Sequence, residues 1–414
     1  MTPAVSRGRR TGSAVLTVVA ALGLAACSAT QAVVETPSVT PASPTPLIPT
    51  ATPSATATSS PTPTITPTQS ASPTPRPDPV ADPDATLEVS PIDFSGNTLI
   101  VARFSDPEKG AQVILQQKSG KKWQDVATGG QDGKGRAEFL VPGGAGAYRA
   151  ISLGAEALAT PAGDAKSQWR RVLSTDFDGS KLPKPWSHAD TGSYLTGGRQ
   201  CSASYPSNVK LKDGKLVLSV TEETKASRKK AADRAGCKHD RYLRNATVYT
   251  GAAGFTMRTG TVAARIKFPP GQGQHGSVFL MSPSMTTEID IVESYGYGSG
   301  LTNVVHRQGK RYPATAEEAY VHAGVVKDRS WWDEYHVFSV EWDAKEVTFR
   351  IDGVVTRRLS RPNLKDEFML YLSMLASDWE QRRFEDPVRN AEGVTLPKLP
   401  ATMYVDWVRG WEPA

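Results

Sequence analysis

The sequence has almost no segment with the periodicity of an amphipathic helix, and its charge is nearly balanced. Its 48 Lys and Arg against 42 Asp and Glu leave a net charge of +6, too small to demand a nucleic-acid partner. Apolar residues recur instead at every second position, as in 216–220, 262–268 and 347–351. This pattern is typical of strands with one buried face. The sequence therefore predicts an all-β protein that does not bind nucleic acid.

Residues 28–84 have almost no aromatic or large aliphatic side chains and are dominated by Pro, Thr, Ser and Ala. Such a segment cannot bury enough apolar surface to fold. Its many prolines favour extended polyproline segments, so it could span on the order of 100 Å at ~3.1 Å per residue. We interpret it as a linker.

The N-terminus carries Arg7, Arg9 and Arg10, followed by an apolar stretch at 14–26 that is too short to span a bilayer stably. This is the pattern of an export signal. It ends in Leu-Ala-Ala-Cys at Cys27, which resembles the bacterial lipobox. The resemblance implies that residues 1–27 are a lipoprotein signal and that Cys27 carries the lipid, which would hold the protein on the outer face of the cell membrane. The alternative is an ordinary signal peptide with a chance cysteine, and then a secreted protein.

The chain has three cysteines. Assigning Cys27 to lipid leaves Cys201 and Cys237, an even pair that we predict to be a disulfide in an oxidising compartment; two buried free thiols are the alternative. Between them begins a basic segment, residues 225–244, with eight Lys or Arg and two Asp, so 8 − 2 = +6. It is either a solvated loop or a patch for an anionic polymer such as wall teichoic acid.

Two folded domains follow the linker. Residues 85–163 alternate short apolar runs with Gly-rich turns, which predicts a small β-sandwich that serves as a spacer or weak binding module. Residues 164–414 are a longer β region that needs two packed sheets to bury its strands. Asp352-Gly353 is a strong hairpin-turn signal there. We expect the protein to be a monomer.

Three carboxylates are concentrated within residues 287–294 of the second domain. Residues two apart on a strand share a face, so Glu288 and Asp290 project together while Ile289 packs inward. Glu293 has the wrong parity unless one extra residue is accommodated as a β-bulge, which we predict at Ile291 or Val292.

No Lys or Arg neighbours these three acids in sequence, so placing them on one face costs stability through repulsion and desolvation. A catalytic role explains that cost. The alternative is a solvated acidic edge of a sheet.

The stretch Glu-Ile-Asp-Ile-Val-Glu at 288–293 is similar to the active-site signature of glycoside hydrolase family 16 in its bulged, laminarinase-like form. The resemblance continues on both sides of the motif and covers roughly residues 170–414. It implies a β-jelly-roll sandwich of the concanavalin type, with a cleft on its concave face. The segments that resemble the family's other strands are 176–179, 207–216, 259–269, 336–342, 349–353 and 403–409.

By this resemblance Glu288 is the nucleophile, Asp290 assists it, and Glu293 is the acid/base of a retaining endo-hydrolase. The expected substrate is a β-1,3- or β-1,3(4)-glucan, and no cofactor is required. The family also binds sugars through aromatic and polar side chains. The corresponding candidates are Trp186, Asn208, Tyr295, His306, Trp331 and Trp379.

The sequence also departs from the family. Residues 275–281 read His-Gly-Ser-Val-Phe-Leu-Met where laminarinase-like members carry a Trp-rich run. A β-galactan substrate of the agar or carrageenan type therefore stays open, as do a surface transglycosylase and a carbohydrate-binding surface protein without turnover. Some members hold a structural calcium ion, and Asp406 matches that region; an aspartate at the edge of the core is the alternative.

Overall fold

Short strands succeed one another from Val80 to Pro413 in the computed structural model of the chain. The structure describes residues 78–142, 146–189, 202–224, 242–270, 273–294, 301–307, 319–320, 331–360, 364–376 and 399–414. The predicted signal, Cys27 and most of the predicted linker lie outside these residues. Within them, no helix has the length and apolar character needed to cross a membrane.

The first eight strands form a small sandwich of two sheets. One sheet has the order β1-β8-β7-β4-β5 and the other the order β2-β3-β6, and Ile100, Leu115 and Tyr148 are fully buried in the core between them. The strands are β1 (Val80–Ala81), β2 (Thr86–Val89), β3 (Asn97–Arg103), β4 (Gln112–Ser119), β5 (Lys122–Gly130), β6 (Arg136–Pro142), β7 (Tyr148–Leu153) and β8 (Ala157–Ala159).

The first strand among the described residues begins at Val80, inside the stretch that the sequence predicts as linker. The reason is that β1 pairs in parallel with β8. The Asp82 carboxylate then fixes the next turn by accepting hydrogen bonds from the Ser105 amide at 3.0 Å and the Ala85 amide at 3.1 Å. Composition alone does not reveal a two-residue edge strand whose partner lies far along the chain.

The remaining strands form a larger sandwich that is preceded by a one-turn helix, α1 (Ala165–Gln168), and includes 3-10 turns at Pro206–Asn208 and Gly251–Ala253. Its strands are β9 (Trp169–Thr175), β10 (Ser187–His188), β11 (Ser202–Ser204), β12 (Val209–Lys212), β13 (Lys215–Glu222), β14 (Leu243–Tyr249), β15 (Gly260–Lys267), β16 (Gln274–Met281), β17 (Thr287–Ser294), β18 (Leu301–Arg307), β19 (Ala319–Tyr320), β20 (His336–Trp342), β21 (Glu346–Ile351), β22 (Val354–Ser360), β23 (Met369–Ala376) and β24 (Ala401–Pro413).

Two layers make up this sandwich. One layer runs β18-β17-β16-β23-β14 and the other β13-β24-β15-β20-β21-β22, and they join where the end of β13 pairs with β14. Apolar side chains from both layers meet in a single core, as the alternating runs predict. Val262 and Phe349 come from one layer, and Leu280, Ile289 and Leu372 from the other. The fold is the predicted all-β jelly roll.

The hairpin predicted at Asp352-Gly353 is present. Ile351 pairs directly with Val354, so the loop has two residues. Both loop residues have positive φ, 49° for Asp352 and 84° for Gly353. Two successive left-handed residues define the tight turn whose twist matches that of antiparallel strands, which explains why the pair Asp-Gly occurs here.

The small sandwich packs on the β20–β22 side of the larger one. Phe94 and Val101 share an apolar cluster with Val337 and Trp407. Around this cluster, carboxylates and guanidinium groups from the two sandwiches form ion pairs: Glu138 with Arg350 at 3.0 Å and with Arg358, and Arg136 with Glu346 at 3.0 Å. Residues 79–414 accordingly belong to one compact unit, although the division at residue 163 stays a prediction.

The same contact contains two carboxyl groups that face each other, Glu88 and Glu341. Burial and the charge of Glu341 raise the pKa of Glu88 to about 8, although Arg103 and Arg350 oppose this. A carboxyl whose pKa is raised by folding favours the folded state when protonated, so this contribution is lost as the pH rises from about 4.5 through 8.

We therefore expect Glu88→Gln to raise the melting temperature above pH 8 and to change it little at pH 4.5, because a neutral amide needs no proton to be buried there. Thermal unfolding across this pH range measures the effect. Glu156→Gln, an exposed position of the same sandwich, is the matched control. An equal shift at both pH values would contradict the prediction.

Candidate active site

Strand β17 contains a bulge at the position where the sequence predicts one. Against β16, Val278 pairs with Val292 while the next residue, Phe279, pairs with Asp290, which leaves Ile291 without an opposite residue. The pairing with β18 shifts at the same place, between Asp290 and Glu293. The extra residue corrects the parity of Glu293, so all three acids face one side of the layer. The apolar residues between them are buried in the core.

The cross-strand neighbours of the acids define the rest of this face. On β16, Met281 lies opposite Glu288 and Phe279 opposite Asp290, with Ser277 opposite Glu293. On β18, His306 lies opposite Glu288 and Thr302 opposite Glu293. Paired residues point to the same side of a sheet, so these side chains surround the acids.

Two histidines contact the acids. His275 Nε2 lies 2.7 Å from Glu293 Oε1, and His306 Nε2 lies 3.1 Å from Asp290 Oδ2. The Thr302 hydroxyl donates a hydrogen bond to Glu293 Oε2 at 3.1 Å. Each oxygen of Glu293 therefore has a partner, which fixes the plane of the carboxyl group.

The environment of Glu288 and Asp290 raises the pKa of both carboxyl groups and so favours their protonated forms. Burial, the charge of Asp290 and a hydrogen bond between the two raise the pKa of Glu288 to about 9, against the opposing charge of His306. Burial and the charge of Glu293 raise the pKa of Asp290 well above its usual range. Like charges in a desolvated site cannot all ionise, so this pair retains at least one proton near neutral pH.

Glu293 is shifted in the opposite direction. Burial by itself raises its pKa, but the adjacent His275, His306 and the Thr302 hydroxyl outweigh burial and lower the pKa of Glu293 to about 2. The structure thus contains carboxyl groups whose environments separate their proton affinities. Such a separation is what acid/base chemistry on a substrate requires.

The acids have two different flanks. Next to Asp290, the rings of Phe279 and Tyr371 stack with centroids 4.8 Å apart, and Tyr249 stacks on Tyr371 at 5.2 Å. Beyond Glu293 the same face carries hydroxyl groups, with Ser277 hydrogen-bonded to Ser373 at 2.7 Å. The face therefore changes from aromatic to polar across the three acids.

Three predicted sugar-binding residues lie elsewhere. Trp186 and Trp331 are buried in the main core, and the Trp186 ring nitrogen donates a hydrogen bond to Thr175 at 3.0 Å. The Asn208 side-chain amide contacts the backbone carbonyls of Ser219 and Arg244 at 2.9 and 2.8 Å. These contacts stabilise the fold and leave no ring face for a sugar at Trp186 or Trp331. His306 differs, because it joins the acids.

Several predictions concern residues outside the described part of the chain. These are the sugar-binding roles of Tyr295 and Trp379, the disulfide between Cys201 and Cys237, and most of the basic segment 225–244. Of that segment only residues 242–244 are described.

Only one group of metal-ligand type occurs among the described residues. Ligand atoms of Glu288, Asp290 and His306 all lie within 4.8 Å of one another, but the His306 imidazole already contacts Asp290. The expected calcium position, Asp406, has its two oxygens 2.5 Å from Arg265 and 3.4 Å from Lys215. Asp406 thus forms ion pairs with two positive side chains, and the structural calcium stays a prediction.

Sequence reasoning did not single out His275 or the stack of Phe279, Tyr371 and Tyr249. The available signal was strand alternation, since residues 275, 277, 279 and 281 share one face of a strand adjacent to the acids. That signal does not tell which face, because every residue of β16 is buried.

Parts of the sequence match a known protein family and two characterised proteins. Residues 203–407 match the family described as Glycosyl hydrolases family 16. The chain is 22% identical to a beta-glucanase from Rhodothermus marinus over 63% of this chain and 91% of that protein. It is 21% identical to glucan endo-1,3-beta-glucosidase A1 from Niallia circulans over 63% of this chain and 39% of that protein.

Solved structures to which the chain is similar include the laminarinase catalytic domain from Thermotoga maritima MSB8. It has a TM-score of 0.42 and 18% sequence identity, and the match covers 59% of this chain and 98% of that one.

Proposed function

Residues 203–407 match the model of glycosyl hydrolases family 16, and on that basis we propose that the chain is a retaining endo-hydrolase of β-1,3- or β-1,3(4)-glucan. The observation that carries the proposal is the bulge in β17, which turns Glu288, Asp290 and Glu293 to the same side of the sheet. Retaining hydrolysis needs two carboxyl groups close to one sugar.

In the first proposed step, a Glu288 carboxylate oxygen attacks the anomeric carbon. The bond from that carbon to the glycosidic oxygen breaks, and Glu293 donates its proton to the leaving oxygen. Asp290, protonated in the buried pair, donates a hydrogen bond to Glu288 and thereby stabilises its carboxylate. A covalent glycosyl-enzyme results.

In the second step, the Glu293 carboxylate takes a proton from water as that water attacks the same carbon. The bond to Glu288 breaks and the carboxylate is regenerated. Two inversions give net retention of configuration. Glu293 must therefore be protonated in the first step and ionised in the second.

The charge distribution in the structure suits the second step, because Glu293 is ionised while Glu288 and Asp290 retain a proton. The first step needs the proton of Glu288 to move to Glu293 while Asp290 keeps its own, so the three acids hold two protons before and after the move. Coupled carboxyl groups titrate as a set, so a neighbouring dipole can relocate the proton. A glycosidic oxygen that accepts a hydrogen bond from Glu293 favours the protonated form of Glu293.

The same charges suggest a second assignment, in which Glu293 attacks and Glu288 is the acid. Chain order favours Glu288 as nucleophile, since the first glutamate of the matching family signature has that role. A 2-deoxy-2-fluoro glucosyl donor carrying one β-1,3-linked glucose would trap the glycosyl-enzyme. We expect peptide mass spectrometry to find the label on Glu288.

Label on Glu293 would reverse the roles. Absence of any label, together with an inverted product in proton NMR of the fresh hydrolysate, would reject the retaining mechanism. Incubation with the same donor after denaturation controls for nonspecific esterification of other carboxyl groups.

The aromatic flank supports a glucan as substrate. Phe279 and Tyr371 stack on each other beside the acids, and although only 7% and 8% of their surfaces are exposed, that exposed part is of a kind that suits the C–H faces of glucose. A β-galactan remains the second candidate because the Trp-rich run is absent. Reducing-end release from laminarin, lichenan, agarose and carrageenan distinguishes them, with activity on laminarin expected and activity on agarose alone contradicting the glucan proposal.

A transglycosylase would use the same glycosyl-enzyme but pass it to a sugar hydroxyl. Products of laminarin digestion with and without added laminaribiose discriminate the two activities. Chain lengthening in the presence of the acceptor would favour the transglycosylase.

The N-terminal sequence supports a lipid anchor at Cys27, and Cys201 and Cys237 are proposed to form a disulfide. Membrane fractionation of wild-type protein and a Cys27→Ser variant tests the first proposal. Thiol titration under denaturing, non-reducing conditions tests the second, because a disulfide leaves both cysteines unreactive.

A further inference from the structure

His275 is a buried histidine on the strand adjacent to the acids. It belongs to β16, two residues before Ser277, which lies opposite Glu293. Its position therefore turns its side chain toward the same face as the acids, diagonally across from Glu293. The residue is 7% exposed, so its ring has little contact with water.

The contact between the two residues is short and involves a specific pair of atoms. His275 Nε2 lies 2.7 Å from Glu293 Oε1, within the range of a charge-assisted hydrogen bond. The other oxygen of Glu293 accepts from the Thr302 hydroxyl. Glu293 is thus held by a neutral donor on one oxygen and a titratable donor on the other.

We propose that His275 is a positioning residue that orients Glu293 and, through its positive charge, holds it in the ionised form that removes a proton from water. This inference rests on the proposed function, because it takes Glu293 to be the acid/base residue. His275 does not contact the sugar in this scheme and acts only through Glu293.

Burial and charge oppose each other at Glu293. A buried carboxyl with no cationic neighbour has a raised pKa, and in this site His275 provides the largest opposing influence, followed by its hydrogen bond and by His306. The other titratable groups on this face of the described strands are Glu288, Asp290 and His306, together with Tyr371 on β23 and Tyr249 on β14. The neighbouring strand β23 adds Ser373 and Leu375, which do not titrate.

The consequence concerns the second step. The base must be ionised there, so the rate falls at low pH as Glu293 takes up a proton. The positive charge of His275 opposes that uptake, because it lowers the pKa of Glu293. Burial raises the pKa of Glu293, and the charge of His275 is the largest influence that lowers it. Removing that charge therefore raises the pKa of Glu293.

The test uses His275→Gln in the full chain, because glutamine retains a hydrogen-bond donor without the charge. A 2,4-dinitrophenyl β-glucoside extended by β-1,3-glucose makes the first step fast, so kcat reports the second. We expect the acidic limb of the kcat–pH profile to move upward by about one unit or more, as an opposite charge at this distance shifts a carboxyl by 1–3 units.

Thr302→Val is the matched variant, because it removes the other hydrogen bond to Glu293 but no formal charge. We expect it to lower kcat with a smaller displacement of the acidic limb. An unchanged limb in His275→Gln, or equal displacements in the two variants, would overturn the proposal. Circular dichroism and thermal unfolding verify that each variant is folded.

A double-mutant cycle separates positioning from a purely structural role. With Glu293 already replaced by Gln, changing His275 should alter kcat by no more than about threefold, since residues that act through one another are not additive. Equal losses in both backgrounds would also overturn the proposal. If wild-type protein cleaves no glucan, the proposed function fails, and the proposal for His275, which rests on it, is rejected with it.

Discussion

Replacement of Glu288 by Gln is expected to lower kcat on laminarin by about 10⁴-fold or more, because the variant has no carboxylate to form the glycosyl-enzyme. The amide has the same shape and does not titrate, so the hydrogen bond with Asp290 can persist. Since burial raises the pKa of Glu288 to about 9, the variant should be at least as stable as wild type at pH 7. Reducing-end assays and thermal unfolding measure the two quantities.

The matched control for Glu288→Gln is Glu367→Gln. Glu367 is 48% exposed in its side chain and pairs with Arg258 on the surface, so its loss should leave kcat within about twofold of wild type. Activity of Glu288→Gln at the control level would mean that another group attacks the sugar. A mass-spectrometric check that the amide has not hydrolysed back to Glu accompanies the assay.

The second large effect is expected for Glu293→Gln, and its size should depend on the leaving group. On laminarin, whose leaving oxygen needs a proton, we expect a loss of about 10²–10⁴-fold in kcat/KM. With a dinitrophenyl glycoside, which leaves without protonation, the first step should proceed at close to the wild-type rate. A pre-steady-state burst of dinitrophenolate measures that step.

Azide provides the complementary measurement for Glu293→Gln. It attacks the glycosyl-enzyme without needing a general base, so added azide should restore turnover of the dinitrophenyl substrate and give a glycosyl azide of retained configuration. A variant equally slow on both substrates, with no response to azide, would indicate that Glu293 does not exchange a proton. The variant also loses the charge that His275 contacts, so its stability must be measured alongside.

The bulge in β17 could be predicted from the sequence. Alternation placed Glu288 and Asp290 on one face, and the odd separation of Glu293 required one extra residue. The register at Ile291 supplies it. This deduction worked because strand parity is a local property of the chain. The hairpin at Asp352-Gly353 was predictable for the same reason, since both residues tolerate positive φ.

Sugar-binding residues were less predictable. The sequence does not indicate whether an aromatic side chain faces a cleft or the core. In this structure Trp186 and Trp331 are core residues. The stack of Phe279, Tyr371 and Tyr249 comes from three strands that are distant in sequence. Its existence depends on which strands become neighbours, and strand order is a property of the whole sheet.

The sequence by itself determined the all-β class, the three acids and their common face, because each follows from side-chain periodicity and turn chemistry within a few residues. Tertiary structure decided which of the acids carries charge. Burial raises the pKa of all three acids, but among them only Glu293 has the His275 ring against its carboxyl group, reached across a strand pair. Proton affinity depends on the charges and solvent within a few ångströms, and only the packed strands bring those together.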